Sequence, residues 1–503
     1  MTVSAESAAT GISNSTPVSK SVSTRRSLAF SFLDRYASLV IGIVSSMFLA
    51  RLLTPSEVGA YAVAMVLLSL VATIRDLGVG QYLVLEKELT TDHIRAVWAV
   101  QLGFGILLSC VIFGMSAPLA RFYGEPAIQS ILTVLAVSYL INPLGSITYA
   151  WLIREMRFEA IAVMRFSSTT SGALVSVYLA WRGHGPISLA WGGIVSTSVN
   201  ALIATIFRPR NYPWLPGVRE LRRVLSLGAK ITSSSMLNTL YEGAPEFLVG
   251  KFQSLTAVGF YSRANGLVAM FNRLITDAVQ TVALSLFAKE RRETGKFNSA
   301  FVTSIAYMTA LSYSFGLFIA LLAFPIVRVL YGTQWDSSVD LARMLCLGIA
   351  VGSPVPMCIA GLMAVDQATR VMRLTLVSTA LGITLCALAA PHGNLTLGAA
   401  IVLNTTISTT LWLRAARGCI GLTWHDFRKT MFRSLLVAAT SAIGPAAVVV
   451  VFGLRPHSPL PVLCLAVAVC VVGFVAGAYV SGHPIVSELE RLRQRIRQLR
   501  PTT

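Results

Sequence analysis

Charge is what this sequence has least of. Only 13% of its 503 residues are Asp, Glu, Lys or Arg, where a water-soluble domain carries roughly 25%. Carboxylates are scarcest, 22 against 41 Lys and Arg, for a net charge of +19. Seven cysteines in a chain of this length exclude a disulfide scaffold. Their positions (110, 346, 358, 386, 419, 464, 470) contain no C-x-x-C pair for metal or redox chemistry. The six histidines (93, 184, 392, 425, 457, 483) sit in loops or at the ends of apolar runs. No metal site, His proton relay or cofactor is therefore expected. What fills the space is apolar: 54% of the chain. That excludes disorder and points to the bilayer.

Apolar runs of about 20 residues, enough to cross roughly 30 Å of hydrocarbon as helix, recur along the chain. They fall near 28–50, 57–74, 96–116, 127–150, 160–181, 187–207 and 224–250. They continue at 256–287, 298–327, 341–364, 371–390, 396–416, 431–452 and 460–480. About 14 spans are expected, each helical because lipid offers no partner to a free backbone amide or carbonyl. The fold class is an all-α polytopic membrane protein.

The cations sort by connection. Roughly 30 of the 41 fall on one side, from Lys20, Arg25 and Arg26 through Arg154, Arg157, Arg208, Arg222 and Lys289 to the Arg-rich tail. Arg51, Arg121, Arg182, Lys251, Arg328, Arg343 and Arg455 fall on the other. The positive-inside rule makes the rich side cytoplasmic, with both termini inside. The basic surplus then reads as topology, and nucleic acid is not expected as a partner.

The chain divides accordingly. Residues 1–26 form a flexible cytoplasmic tail without the n-region and h-region of a cleavable signal. Residues 27–207 hold the first six spans, 208–223 a basic cytoplasmic linker, and 224–417 the next six. An extra helix pair occupies 418–480. A basic tail, 481–503, repeats Leu489, Leu492, Ile496 and Leu499 at helical spacing and suits an anionic lipid surface.

The chain also repeats itself. Phe48-Leu49-Ala50-Arg51-Leu52 followed by Val58-Gly59-Ala60-Tyr61 returns as Phe247-Leu248-Val249-Gly250-Lys251 followed by Val258-Gly259-Phe260-Tyr261. The copies lie about 200 residues and six spans apart, so both halves have the same orientation. That is a parallel repeat of two six-helix lobes, one of the transporter architectures.

Some charges lie inside spans: Arg35, Lys230, Arg263 and Arg273, with Asp34, Glu242, Glu246 and Asp277. Each costs about 2.5–3.5 kcal/mol at mid-bilayer, so such groups face a bundle interior or a wet cavity. The functional reading makes the four cations binders of an anionic substrate and Asp34, Glu242 and Asp277 ion-coupling groups. Arg273 and Asp277 stand one turn apart and suit an i,i+4 pair. The alternative is that these charges fix helix packing or, for Lys230, snorkel to the interface. Softer features are Pro143, Pro245, Pro325, Pro354 and Pro356 in or near spans, and Gly473-x-x-x-Gly477, a helix-contact motif.

Several strings carry a family resemblance. They are A-R-L-L-T-P-S-E-V-G-A-Y (50–61), R-D-L-G-V-G (75–80), L-A-R-F-Y-G (119–124), R-E-M-R-F (154–158) and F-L-V-G-K-F…V-G-F-Y-S-R-A (247–264). In these the chain resembles the Wzx-type oligosaccharide flippases, in the superfamily that also holds MATE-type multidrug exporters. The resemblance implies a V-shaped pair of six-helix bundles in the bacterial inner membrane. Its cargo would be an undecaprenyl-diphosphate-linked glycan destined for lipopolysaccharide or exopolysaccharide. A polysaccharide polymerase and chain-length machinery would be partners beside membrane lipid. Against a glycan polymerase or ligase stand the short outer loops. The longest, 329–340, offers only Tyr331, Trp335 and Asp336. A cation-exporting antiporter remains open through Asp34, Glu242 and Asp277, and so does a lipid-II-type flippase or scramblase.

Overall fold

The computed structural model describes residues 20–76, 82–83, 86, 90–209, 212–213, 215–217, 219–295, 297–420, 423–453, 459–488, 490–491 and 494. Among them every regular element is a helix. In chain order these are α1 (Lys20–Leu52), α2 (Pro55–Asp76), α3 (Thr91–Tyr123), α4 (Pro126–Arg154), α5 (Phe158–Trp181) and α6 (Ile187–Phe207). Next come α7 (Leu221–Phe252), α8 (Leu255–Phe271), a π-helical turn (Asn272–Thr276), α9 (Asp277–Thr294) and α10 (Asn298–Leu330). A 3₁₀ turn (Thr333–Ser338) leads to α11 (Val339–Gly352), α12 (Val355–Ala364), α13 (Ala368–Ala389) and α14 (Asn394–Ile420). The last pair is α15 (Trp424–Phe452) and α16 (Pro459–Ser481).

Ten helices among the described residues are long and apolar enough to cross a membrane, against the 14 spans expected. Arg165 and the polar run Ser167–Ser171 dilute α5. The expected span 28–50 lies partly outside the residues whose side chains are described, which in α1 run from Tyr36 to Leu52. The expected span 224–250 also lies partly outside the residues whose side chains are described, and the described part of α7 carries Glu242 and Glu246; α8 stops at the π-turn after 17 residues.

Helix starts are legible in the caps. Thr54 and Glu57 form a reciprocal pair at the start of α2, with Thr54 N–H donating to Glu57 Oε2 (2.8 Å) and Glu57 N–H to Thr54 Oγ1 (3.4 Å). Two hundred residues on, Ser254 Oγ accepts from Ala257 N–H (3.1 Å) at the start of α8. Two expected single spans are interrupted. The run 256–287 contains the π-turn, and 341–364 breaks at Ser353. Pro354 and Pro356 have no N–H to return to Ala350 and Gly352, so the helix cannot run through. Ala350 O accepts from Ser353 Oγ instead (2.8 Å), and beside it Thr409 Oγ1 of α14 donates to Val351 O (3.2 Å).

Lipid tails are as apolar as leucine, so packing rests on close approach and hydrogen bonds rather than on a hydrophobic drive. Gly473 and Gly477 of α16 sit against Thr440 and Ser441 of α15, leaving no space for a Cβ. The α15–α16 pair packs on α10, where Thr309 Oγ1 meets Ser434 Oγ at 2.8 Å.

The first six helices meet the rest mainly where α2 lies along α8 and α7. At this seam the two V-G-x-Y motifs face each other. A Cβ on Gly59 would collide with the carbonyl of Leu255, and one on Gly259 with the carbonyl of Pro55. These positions are pairwise 200 apart, so the contact is reciprocal. We call the side of the bundle bearing the 52–55 and 252–255 turns the turn face. The opposite side, where α1 begins and α16 ends, is the terminal face.

Candidate substrate and coupling site

A cavity of about 560 Å³ lies among α7, α8, the π-turn, α10, α11, α12 and α14. Three sequence-expected residues converge on it: Glu242 from α7, Arg273 from the π-turn, and Asp277 from the first turn of α9. The π-turn is what aims Arg273 and Asp277. An i→i+5 turn inserts an extra residue into the helix and rotates the residues beyond it, and such bulges recur at functional sites. Here it places Asn272, Arg273 and Thr276 on the cavity wall, with Thr276 Oγ1 donating to Asn272 Oδ1 (3.1 Å). The opposite wall is the broken α11–α12 segment, Gly352, Ser353 and Pro356.

Behind Glu242, Tyr241 is seated in a notch of α13. Its ring leaves no room for a Cβ at Gly382, and Asn404 Nδ2 of α14 donates to its Oη (3.0 Å). Asn404 Oδ1 and the Ser312 hydroxyl, which lines the cavity, are buried without a partner among the described residues. Buried polar atoms of this kind ordinarily find a partner, so the cavity is built to be wet or to hold a polar ligand. Its titratable lining comprises two carboxyl groups and one guanidinium.

Arg263 goes elsewhere. It lies on the seam, with its guanidinium 5.2 Å from the Tyr331 ring and 5.1 Å from the Trp335 ring, and Nη1 reaching Ser46 Oγ of α1 at 3.4 Å. It joins α8, α1 and the segment after α10 rather than the cavity. The side chains of Asp34, Arg35 and Lys230 lie outside the described residues.

The turn face carries a feature the sequence reading missed. Val329 O, in the last turn of α10, accepts from Arg51 Nη2 at the end of α1 (3.0 Å). Phe122 O, in the last turn of α3, accepts from Lys251 Nζ at the end of α7 (3.4 Å), and Nζ also sits 3.9 Å from the Phe122 ring centroid. Phe122 O is among the last carbonyls of α3, which have no donor within the helix. Each contact puts a cation on the negative end of a helix dipole. Arg51 and Lys251 are the cations of the duplicated motif, and each binds a helix of the other half. Around them Trp335 Nε1 donates to Ala50 O (2.7 Å), Gln334 Nε2 donates to Ala50 O and to Leu53 O, and Tyr123 Oη donates to Phe247 O (3.2 Å). The turn face is therefore closed. A second repeated string marked it: Tyr123-Gly124 after α3 and Tyr331-Gly332 after α10, both glycines at positive φ (69° and 99°).

Comparison with known proteins decides the family. A family model described as "Polysaccharide biosynthesis protein" matches residues 48–340, more than half of the chain. The chain belongs to the polysaccharide biosynthesis protein family. Within it, the chain is 26% identical over 364 residues to the succinoglycan biosynthesis transport protein ExoT of Rhizobium meliloti, covering 70% of this chain and 71% of that one. It is 21% identical over 322 residues to the lipopolysaccharide biosynthesis protein WzxC of Escherichia coli, covering 63% and 65%. In fold it is similar to the lipid II flippase MurJ in an inward closed conformation, with TM-score 0.73 and 13% identity over 91% of this chain and 99% of that one. An inward-facing MATE-family multidrug transporter is also similar, with TM-score 0.63 and 14% identity over 76% and 94%. The all-α fold expected from the apolar runs is the one found, and the family is in keeping with the resemblance carried by the motifs.

Proposed function

We propose that this protein carries an undecaprenyl-diphosphate-linked oligosaccharide repeat unit from the cytoplasmic to the periplasmic leaflet of the inner membrane, as a non-enzymatic step of surface polysaccharide assembly. Residues 27–207 and 224–417 act as two bundles that alternate about the α2–α8 seam, with 418–480 as an appended pair. The terminal face is cytoplasmic and the turn face periplasmic, in keeping with the distribution of Lys and Arg. The observation that carries this reading is a polar, charged cavity at mid-helix in a molecule whose turn face is latched shut. A headgroup then enters from the cytoplasmic side and leaves only when the latches part.

The parts divide by charge. Arg35, Lys230 and Arg273 supply charge-assisted hydrogen bonds to the diphosphate. Glu242 and Asp277, sharing a cavity with a single guanidinium, suit a proton or small cation whose binding biases one state over the other. Deletion followed by lipid extraction tests the function: undecaprenyl-linked repeat units should accumulate facing the cytoplasm. Units accumulating on the periplasmic side would assign the defect to polymerisation instead. Arg35→Ala and Lys230→Ala are each expected to insert normally and to lower surface polysaccharide. Wild-type polysaccharide in both would leave those charges as packing devices.

A second reading, a cation-exporting antiporter of the same superfamily, draws on the excess of carboxylates in the cavity. Resistance to cationic dyes lost on deletion, with glycan export intact, would favour it.

A further inference from the structure

A second cavity, of about 440 Å³, opens on the terminal face, away from the site described above. It lies where the first turns of α10 and α15 meet the segment after α16. Lys429 and Arg433, one turn apart on α15, line one wall. Asn298, Ser299 and Thr303 of α10 line the other and offer an amide and two hydroxyls. Among the described residues neither Lys429 nor Arg433 forms a hydrogen bond or ion pair. The one acid on the lining, Asp426, is engaged locally: Thr423 Oγ1 donates to its Oδ2 at 2.6 Å.

The floor of this cavity is fixed. Ser434 Oγ bridges Thr309 Oγ1 of α10 (2.8 Å) and His483 Nε2 (3.2 Å), and Tyr307 Oη donates to Pro484 O (3.4 Å). Ile485 N–H donates to His483 Nδ1 (3.2 Å), so that nitrogen carries no proton and the ring is neutral. Burial pushes the His483 pKa down to about 4. At neutral pH the histidine does not add to the positive charge of the wall.

The depth of the cavity indicates the ligand. Lys429 and Arg433 stand five and nine residues after Trp424, about 8–14 Å along the helix axis. Trp424, at the start of the span, is 40% exposed, a placement favoured at the membrane–water boundary. Phe432, Leu435 and Leu436 are exposed on the same helix, where acyl chains would run. Two cations at the headgroup boundary beside a lipid-facing apolar surface match a phosphodiester with chains attached.

We propose that this cavity is a binding site for the phosphate of an anionic phospholipid headgroup, held between Lys429 and Arg433 and by the α10 hydroxyls. The occupant ties the appended α15–α16 pair to α10 from the cytoplasmic leaflet. It is a bilayer component and distinct from the transported lipid.

Native mass spectrometry of the full-length protein in detergent tests this. Phosphatidylglycerol and phosphatidylcholine with identical chains are titrated in parallel, with inorganic phosphate as a competitor. The wild type should retain phosphatidylglycerol at least about tenfold more tightly than phosphatidylcholine, with millimolar phosphate leaving it bound. Lys429→Gln/Arg433→Gln should lose that preference, whereas Arg428→Gln, a neighbouring cation off the cavity, should change it by less than about twofold. Equal retention of the two lipids by the wild type would overturn the proposal, and so would an equal loss in Arg428→Gln. Full displacement by inorganic phosphate would make it a free-phosphate site and refute the lipid assignment. The wild-type comparison stands even if the double variant fails to fold, and none of these readouts depends on flippase activity.

Discussion

The two latches on the turn face occupy equivalent places in the repeat but are built unequally. On one side Arg51 binds Val329 O, and the 3₁₀ turn after α10 adds Gln334 and Trp335, which grip the end of α1 through Ala50 and Leu53. On the other side Lys251 holds Phe122 O at 3.4 Å and rests on an aromatic ring, with only Tyr123 to help. A duplicated framework thus supplies two closures of different strength. The helix-end carbonyls and the cations stand at matching places relative to the repeated motif. The extra grip comes from one loop that the other half lacks. The weaker α3–α7 side is where opening should begin.

The largest effect is expected from Trp335→Ala. It removes a fully buried ring, its bond to Ala50 and the stacking platform of Arg263, and should lower stability by about 3–5 kcal/mol in denaturant titration. Next is Gly259→Leu, which forces a side chain into the Pro55 carbonyl and should cost about 1–3 kcal/mol. Arg51→Gln should cost about 1 kcal/mol and Lys251→Gln about 0.5 kcal/mol, both groups being partly solvated. The order of the last two sharpens the comparison. If Lys251→Gln proves the more damaging, the asymmetry runs the other way. A transport assay supplies a separate check. Glu242→Gln and Asp277→Asn should each reduce flipping about tenfold or more with stability nearly unchanged.

Much of the fold was legible in the sequence, and the exceptions have physical causes. Apolar runs located the helices because hydrocarbon leaves the backbone no other option. The caps at Thr54 and Ser254 and the break at Pro354 and Pro356 were not read from the sequence, which took 341–364 as one span, although each rests on local chemistry. Glu242, Arg273 and Asp277 could be singled out because charge in an apolar span is costly, and all three reach the cavity. The π-turn was not legible, since Asn272–Thr276 contains nothing that an α-helix would refuse; its register is imposed by what packs around it. Arg263 was read as a substrate binder because its aromatic partners, Tyr331 and Trp335, arrive from about 70 residues downstream. The latches escaped for a similar reason: a helix-end carbonyl has no sequence signature, and only the repeated Tyr-Gly after α3 and α10 hinted that the two ends correspond.

Alternation about the latched turn face is best tested by a distance. Spin labels at Arg121→Cys and Phe252→Cys, in a background lacking the seven native cysteines, straddle the α3–α7 latch. Without substrate the pair should give one short distance. Adding an undecaprenyl-diphosphate-linked oligosaccharide should populate a second, longer distance, already partly present in Lys251→Gln. A single short distance, unchanged by substrate and by Lys251→Gln, would contradict the alternating mechanism.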